Sequence, residues 1–131
     1  MTKKEMIIQK AAELFMAKGF SACSVRDIAA ASGIEPSSLY SHIKSKEELL
    51  YSICMQCADH YNSAIDFILE SSKINMDMLF KIVDIHIDLA LSDPTSSTVF
   101  SDEWKHLPSD MKEIFLLEKK RYEFKFLKII S

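Results

Sequence analysis

Residues 24–46 read SVRDIAAASGIEPSSLYSHIKSK, and the order of signals in that stretch leaves few folds open. Ser24 with Asp27 three residues on is a helix start that caps its own first turn. Ile28 and the alanines 29–31 give a slim helix that lets a partner pack close, and Gly33 fits its end. Glu35 and Pro36 open another helix, with the proline where no backbone N–H is needed. Leu39 and Ile43, one turn apart, give that helix a single apolar anchor. Ser45 with Glu48 then starts yet another. Two short helices around a glycine turn, closed by a fresh helix start, make a helix-turn-helix.

The rest of the chain reads as helix too. Only two glycines and three prolines occur among 131 residues. With so few breakers, long uninterrupted helices are expected and turn-rich β folds are not. Helix 1 is expected over about residues 3–18, with Thr2 and Glu5 as a capping box and Gly19 as a left-handed stop. Ile7, Ile8, Ala11, Leu14 and Phe15 follow its 3.6-residue period, and Phe20 is expected to fold back onto that face. Helix 4, from Ser45, is expected to run about 25 residues, burying Leu49, Leu50, Ile53, Cys57, Tyr61, Ile65, Ile68 and Leu69. Residues 71–75 read as a loop and 76–92 as helix 5, stopping before Asp93-Pro94. A shorter helix 6 carries Val99, Phe100 and Trp104, Leu107-Pro108 breaks it, and helix 7 runs from about 109 to the end. The expected fold class is all-α.

Net charge is −3, unevenly placed: residues 1–48 hold seven Lys/Arg against six Asp/Glu, and the remainder nine against thirteen. A near-neutral headpiece on an acidic body permits nucleic-acid binding through local phosphate contacts without demanding it. No apolar run reaches membrane-spanning length, and residues 1–14 lack the continuous apolar segment of a signal peptide, so a soluble cytoplasmic protein with no membrane partner is expected. Three cysteines, Cys23, Cys54 and Cys57, form no disulfide framework. Cys54-x-x-Cys57 with His60 invites a redox or zinc reading. The pair lies mid-helix, without the helix N-terminus that lowers a thiol pKa and without further ligands, so core packing is the simpler account. No nucleophile–base pair or phosphate loop is visible; the expectation is a protein that is not an enzyme, with no catalytic residues, metal or cofactor.

Helix 1 ending KGF, the IAAASGI helix and turn, and SLYSHIKSKEELL together resemble the TetR family of one-component bacterial transcriptional regulators, over about residues 5–50. The resemblance implies an N-terminal three-helix helix-turn-helix headpiece, residues 1–46, that binds DNA. It is followed by a helical ligand-binding and dimerisation body, residues 47–131. It implies that Tyr40 and Lys46 reach phosphates, and that Ser24 and Arg26 touch backbone or an outer base. Pro36, Ser37, Ser38 and Ser41 then occupy base-facing positions, with His42 on the same exposed arc. Arg26 is the candidate for a bidentate guanine contact, and the short serines suit water-mediated and thymine-methyl contacts. Ile43 stands where the family often has phenylalanine. The body is short against the family's usual nine or more helices, the last two of which form most of a dimer interface, and is read as incomplete.

On helix 5, Asp77, Lys81, Asp84 and Asp88 share one stripe, while His86 lies opposite at the middle of an apolar face with Leu79, Ile82, Val83 and Ala90. A buried imidazole needs partners. It is either a hydrogen-bonded core histidine or a polar group in an effector pocket, which in the resembling family this helix lines. Phe80, Val83, His86, Phe100, Trp104 and Tyr122 are the candidate walls, against ordinary core packing for each aromatic. Helix 7 carries Ile114, Phe115, Leu116, Leu117, Tyr122, Phe124, Phe126, Leu127, Ile129 and Ile130 on more than one face, so it needs cover on several sides. The function expected from the resemblance is a DNA-binding repressor, a homodimer on a palindromic double-stranded operator, released by a small hydrophobic or amphipathic effector. The rival is a helical interaction protein that pairs with a longer relative and antagonises it.

Overall fold

A computed structural model of the chain describes residues 1–71 and 76–130. The described residues form seven α-helices and one short 3₁₀ turn, with no strand among them: α1 Lys3–Lys18, α2 Val25–Ser32, α3 Pro36–Leu39, α4 Lys46–Ser71, α5 Met76–Ser92, α6 Pro94–Glu103, the 3₁₀ turn Trp104–His106 and α7 Ser109–Ile130. The expected loop at 71–75 begins one residue late, since Ser71 is still helical; residues 72–75 lie outside the described residues.

Local chemistry explains the boundaries. Thr2 and Ser24 each accept from the backbone N–H three residues on, while Glu5 and Asp27 reach back to the cap backbone, completing both capping boxes. Each such cap is worth about 1 kcal/mol. Gly33 ends α2 at φ 70° and ψ 28°, the left-handed conformation a side chain resists. Gly19 differs from expectation. Its φ of 83° is positive but its ψ is 152°, so the chain leaves α1 extended rather than curling into a left-handed cap. That exit carries Phe20 back onto Phe15, ring centroids 5.2 Å apart.

The start of α4 is a half-box. Ser45 Oγ accepts from Glu48 N at 3.1 Å, but the Glu48 carboxylate bonds Lys44 N at 3.3 Å and pairs with Lys4 at 3.7 Å. At the other junction Asp93 caps α6 by accepting from Ser96 N at 3.1 Å, with Pro94 in the first turn.

Two separate clusters form the core. The larger runs from Ile7, Phe15 and Ile28 through Leu39, Leu50 and Ile53 to Val99, Leu107 and Phe115. It joins α1, α2, α3 and the first half of α4 to α6 and α7. The smaller gathers Ile65, Ile68 and Ile82, with Leu69, Ile85, Tyr122 and Phe126 packed against them, at the far ends of α4, α5 and α7. Between the two, the stripe of α4 includes a residue the apolar reading passes over. Asn62 is buried, donating to Ala58 O at 3.1 Å and Glu118 O at 3.3 Å and accepting from Lys125 Nζ at 3.3 Å. It stitches α4 to α7 with its amide fully used.

Two apolar stripes stay uncovered. On α5, Phe80, Val83, Ile87 and Leu91 are exposed; on α7, Ile114, Leu117, Phe124 and Leu127. The expectation that Val83 and Ala90 share the buried face with His86 is thus corrected: both are exposed, and only Ile82 of that face is fully buried. No helix among the described residues is long and apolar enough to cross a membrane.

Candidate nucleic-acid interface and ligand hollow

The helix-turn-helix holds its polar arc outward by burying little else. Leu39 and Ile43 are buried under α3, while Ser37, Ser38, Tyr40 and Ser41 are exposed and Pro36 and His42 half-exposed. The regular helix is only four residues, Pro36–Leu39. Its winding continues through tighter bonds, Ser41 N to Ser38 O at 3.1 Å and His42 N to Leu39 O at 2.9 Å, so residues 36–43 still make one curved surface. Ser41 Oγ donates to Ser38 O at 2.6 Å. Its proton is engaged, and what it offers outward is an acceptor. Arg26 is exposed on α2.

A recess of about 440 Å³ separates the α1–α2 connection from the start of α4, and Ser24, Tyr40 and Lys46 all border it. The structure therefore brings those three residues together and adds Ser21, Lys44 and Ser45, with Glu47 at the edge. The adjacent pair Lys44-Ser45 ahead of a helix start was the available signal for the last two, because a helix N-terminus flanked by lysine attracts anions.

Lys46 is more committed than a free phosphate ligand. Its ammonium donates to Phe20 O at 2.9 Å and Cys23 O at 3.0 Å and sits 4.2 Å from the centre of the Phe20 ring. Two of its three protons thus hold the α1–α2 connection against α4, and one remains for an outside oxygen. Nearby, the Asp27 carboxyl is held down at about 2, first by the Ser24 backbone N–H, then by Lys18 and the Ser24 hydroxyl.

A second hollow, about 340 Å³, lies between the two core clusters. His86 from α5, Phe100 from α6 and Tyr122 from α7 line it, with Ala58, Tyr61 and Asn62 from α4. Glu118, Lys119 and Glu123 form its α7 border. The rings make a connected set: Tyr61 to His86 at 5.1 Å, Tyr61 to Phe100 at 6.0 Å and His86 to Tyr122 at 5.4 Å. Burial pushes the His86 imidazole below its ordinary pKa, favouring the neutral form. His86 Nε2 and Tyr122 Oη are buried with no hydrogen-bond partner among the described residues.

Three of the candidate wall residues do not line this hollow. Phe80 and Val83 stand exposed on the outer side of α5. Trp104 lies one layer away, stacked on Phe115 at 5.8 Å with Lys119 over its ring at 5.3 Å. The sequence does not single out Ala58, Tyr61 and Asn62 of α4 as walls, nor the charged α7 border of Glu118, Lys119 and Glu123. Asn62 was detectable as the one polar residue in register with Ala58, Ile65 and Leu69.

The Cys54-x-x-Cys57 pair is buried in α4. Desolvation raises Cys54 to about 12 and Cys57 to about 11, the opposite of a reactive thiol. Among the described residues no group of three or more His, Cys, Asp or Glu is placed to hold a metal ion.

Likeness to known proteins agrees with this geometry. Residues 7–53 match the family described as "Bacterial regulatory proteins, tetR family". The chain is 27% identical over 122 residues to the HTH-type transcriptional repressor KstR2 of Mycolicibacterium smegmatis, covering 93% of this chain and 59% of that protein. Over 52 residues, 40% of this chain and 18% of the relative, it is 48% identical to the uncharacterized HTH-type transcriptional regulator YerO of Bacillus subtilis. The crystal structure of the TetR family regulator PfmR from Thermus thermophilus superposes with a TM-score of 0.87 at 27% identity, covering 95% of this chain and 68% of that one. The chain spans about three fifths of the length of the KstR2 relative. The helix-turn-helix segment, residues 7–53, is thus a tetR-family regulatory domain, and nearly the whole chain shares the fold of a TetR family regulator.

Proposed function

We propose that this chain is a sequence-specific transcriptional repressor whose reading head, residues 1–46, is released from DNA when a small hydrophobic or amphipathic molecule occupies the body, residues 47–131. The observation that carries the reading is the α2–α3 unit, an outward polar arc on a buried Leu39–Ile43 anchor. In this reading the recess beside Tyr40, Lys44, Ser45 and Lys46 receives a phosphate. Arg26, Pro36, Ser37, Ser38 and Ser41 face base edges, with His42 on the same arc. The hollow at His86 and Tyr122 takes the effector. Because α4 both opens beside the recess and lines the hollow, a ligand that tilts it changes the placement of the head. In a homodimer on a palindrome, two heads must sit about 34–36 Å apart or a multiple of that spacing, so a small tilt is enough to lose the operator. The name of the KstR2 relative supports the repressor sense.

Selection of bound duplexes from a random pool, at stated salt and protein concentration, tests it. A palindromic consensus is expected. Tyr40→Phe should then weaken binding to all sequences alike, while Arg26→Ala should relax preference at one base pair by about 1–3 kcal/mol. Enrichment of no sequence refutes the reading.

A second reading has its own observation. The uncovered stripes on α5 and α7 suit pairing with a longer relative, which would make the chain an antagonist. Light scattering separates the two: self-association favours the repressor, and a monomer that forms a mixed pair with a longer relative favours the antagonist.

A further inference from the structure

The hollow between the two core clusters contains an unmet hydrogen-bonding demand. His86 Nε2 and Tyr122 Oη are both shielded and both unpartnered among the described residues, and their rings stand 5.4 Å apart, tilted by 31°. Leaving such atoms unmet is unfavourable, and a ligand that supplies their partners recovers the loss. The neighbouring amide is already satisfied, since Asn62 bonds Ala58 O, Glu118 O and Lys125. The polar requirement therefore narrows to these two atoms.

The charges around the hollow decide what kind of ligand meets it. Glu118 is engaged by Arg121 at 3.1 Å, and Lys119 lies over Trp104 at 5.3 Å, turned to that ring. Glu123 is exposed at the border. The interior groups, Tyr61, His86 and Tyr122, are aromatic and carry no counter-charge, with burial favouring the uncharged imidazole. The nearby cations are engaged, Lys119 over Trp104 and Lys125 with Asp66 at 2.8 Å, so a charged headgroup drawn in beside the rings would be desolvated without a free counter-ion.

Building on the effector reading above, we infer that the hollow takes an uncharged, mainly apolar molecule bearing one carbonyl or hydroxyl oxygen, seated between His86 and Tyr122. The Tyr122 hydroxyl donates to that oxygen. The imidazole donates to it as well when Nε2 carries the proton, or accepts from a ligand hydroxyl when it does not. Tyr61 and Phe100 wall the apolar remainder.

Titration calorimetry of the 131-residue chain with methyl hexyl ketone, octyl alcohol, octanoate and octylammonium tests the inference. The ketone and the alcohol should bind about tenfold or more tighter than either ion, and Tyr122→Phe should cut their affinity by about tenfold. The same substitution should raise the Tm of the unliganded protein, because it deletes an unpartnered buried hydroxyl; a purely structural tyrosine would not combine those two changes. His86→Phe serves as the second variant, with the same expected loss. An ion binding as tightly as the neutral pair, binding by none of the four, or Tyr122→Phe leaving both affinity and Tm unchanged overturns the inference. Adding operator DNA keeps the two readings apart. Neutral compounds that bind without releasing DNA overturn the effector reading and leave the ligand class standing. An ion that binds as tightly as the neutral pair and releases DNA does the reverse.

Discussion

Single side chains fix the local geometry of the helix-turn-helix, and Asp27 and Lys46 do so in different ways. Asp27 accepts from Ser24 N at 3.0 Å and from Lys18 at 3.1 Å, which holds its carboxyl at about 2 against an ordinary 3.8. A carboxyl depressed by folding contributes stability that is fully present above its unfolded pKa and lost as pH falls toward its folded one. Asp27→Asn should therefore lower stability at neutral pH, and the gap to the parent should begin to close below about pH 4. Urea melts at a series of pH values measure this; a gap that is constant with pH would show that the charge contributes nothing. Lys46 is tied to two carbonyls of the α1–α2 connection. Charged hydrogen bonds of this kind are worth about 1.5–3 kcal/mol, so Lys46→Ala should cost stability of that order as well as DNA affinity. If affinity falls and stability holds, the ammonium acts on phosphate alone.

At the scale of elements, the turn between α2 and α3 sets the pose of the whole arc. Gly33 has φ 70°, yet a Cβ built there meets nothing within 4 Å. Gly33→Ala thus tests backbone strain without a clash. It should destabilise by about 1 kcal/mol, and Gly33→Asn by less, because asparagine tolerates the left-handed region. Equal stability of all three would remove the turn's conformational demand. The helix starts at Thr2 and Ser24 were legible in sequence because a cap is chemistry among residues three apart, and the stop before Asp93-Pro94 because proline cannot continue a helix. The arrangement around Lys46 was not, since its carbonyl partners are 26 and 23 positions away. Periodicity placed His86 on the inner side of α5 but misassigned Val83 and Ala90. A repeat of 3.6 residues defines a direction, and only the neighbouring helices decide how wide a strip beneath it is covered. The same limit hid Tyr61 and Asn62 as cavity walls inside what reads as an ordinary buried stripe.

Across the whole molecule, one core cluster ties the helix-turn-helix to α6 and α7. Phe115, fully buried at its centre, touches Phe100 at 5.4 Å and Trp104 at 5.8 Å. Phe115→Ala should cost about 3–5 kcal/mol and, read by both far-ultraviolet signal and Trp104 fluorescence, should lower a single shared transition. Two resolved transitions would mean that the head folds apart from the body. The smaller cluster at Ile65, Ile68 and Ile82 has no such reach, being parted from the larger by the hollow at His86 and Tyr122. Few apolar contacts mean a lower free energy of local opening. Backbone amides around Ile65 and Ile82 should accordingly exchange with solvent faster than those around Ile53 and Phe115. A molecule filling the gap would splice the two cores into one cooperative unit, so its occupancy would register first as slowed exchange at the far end of the bundle, remote from the helix-turn-helix.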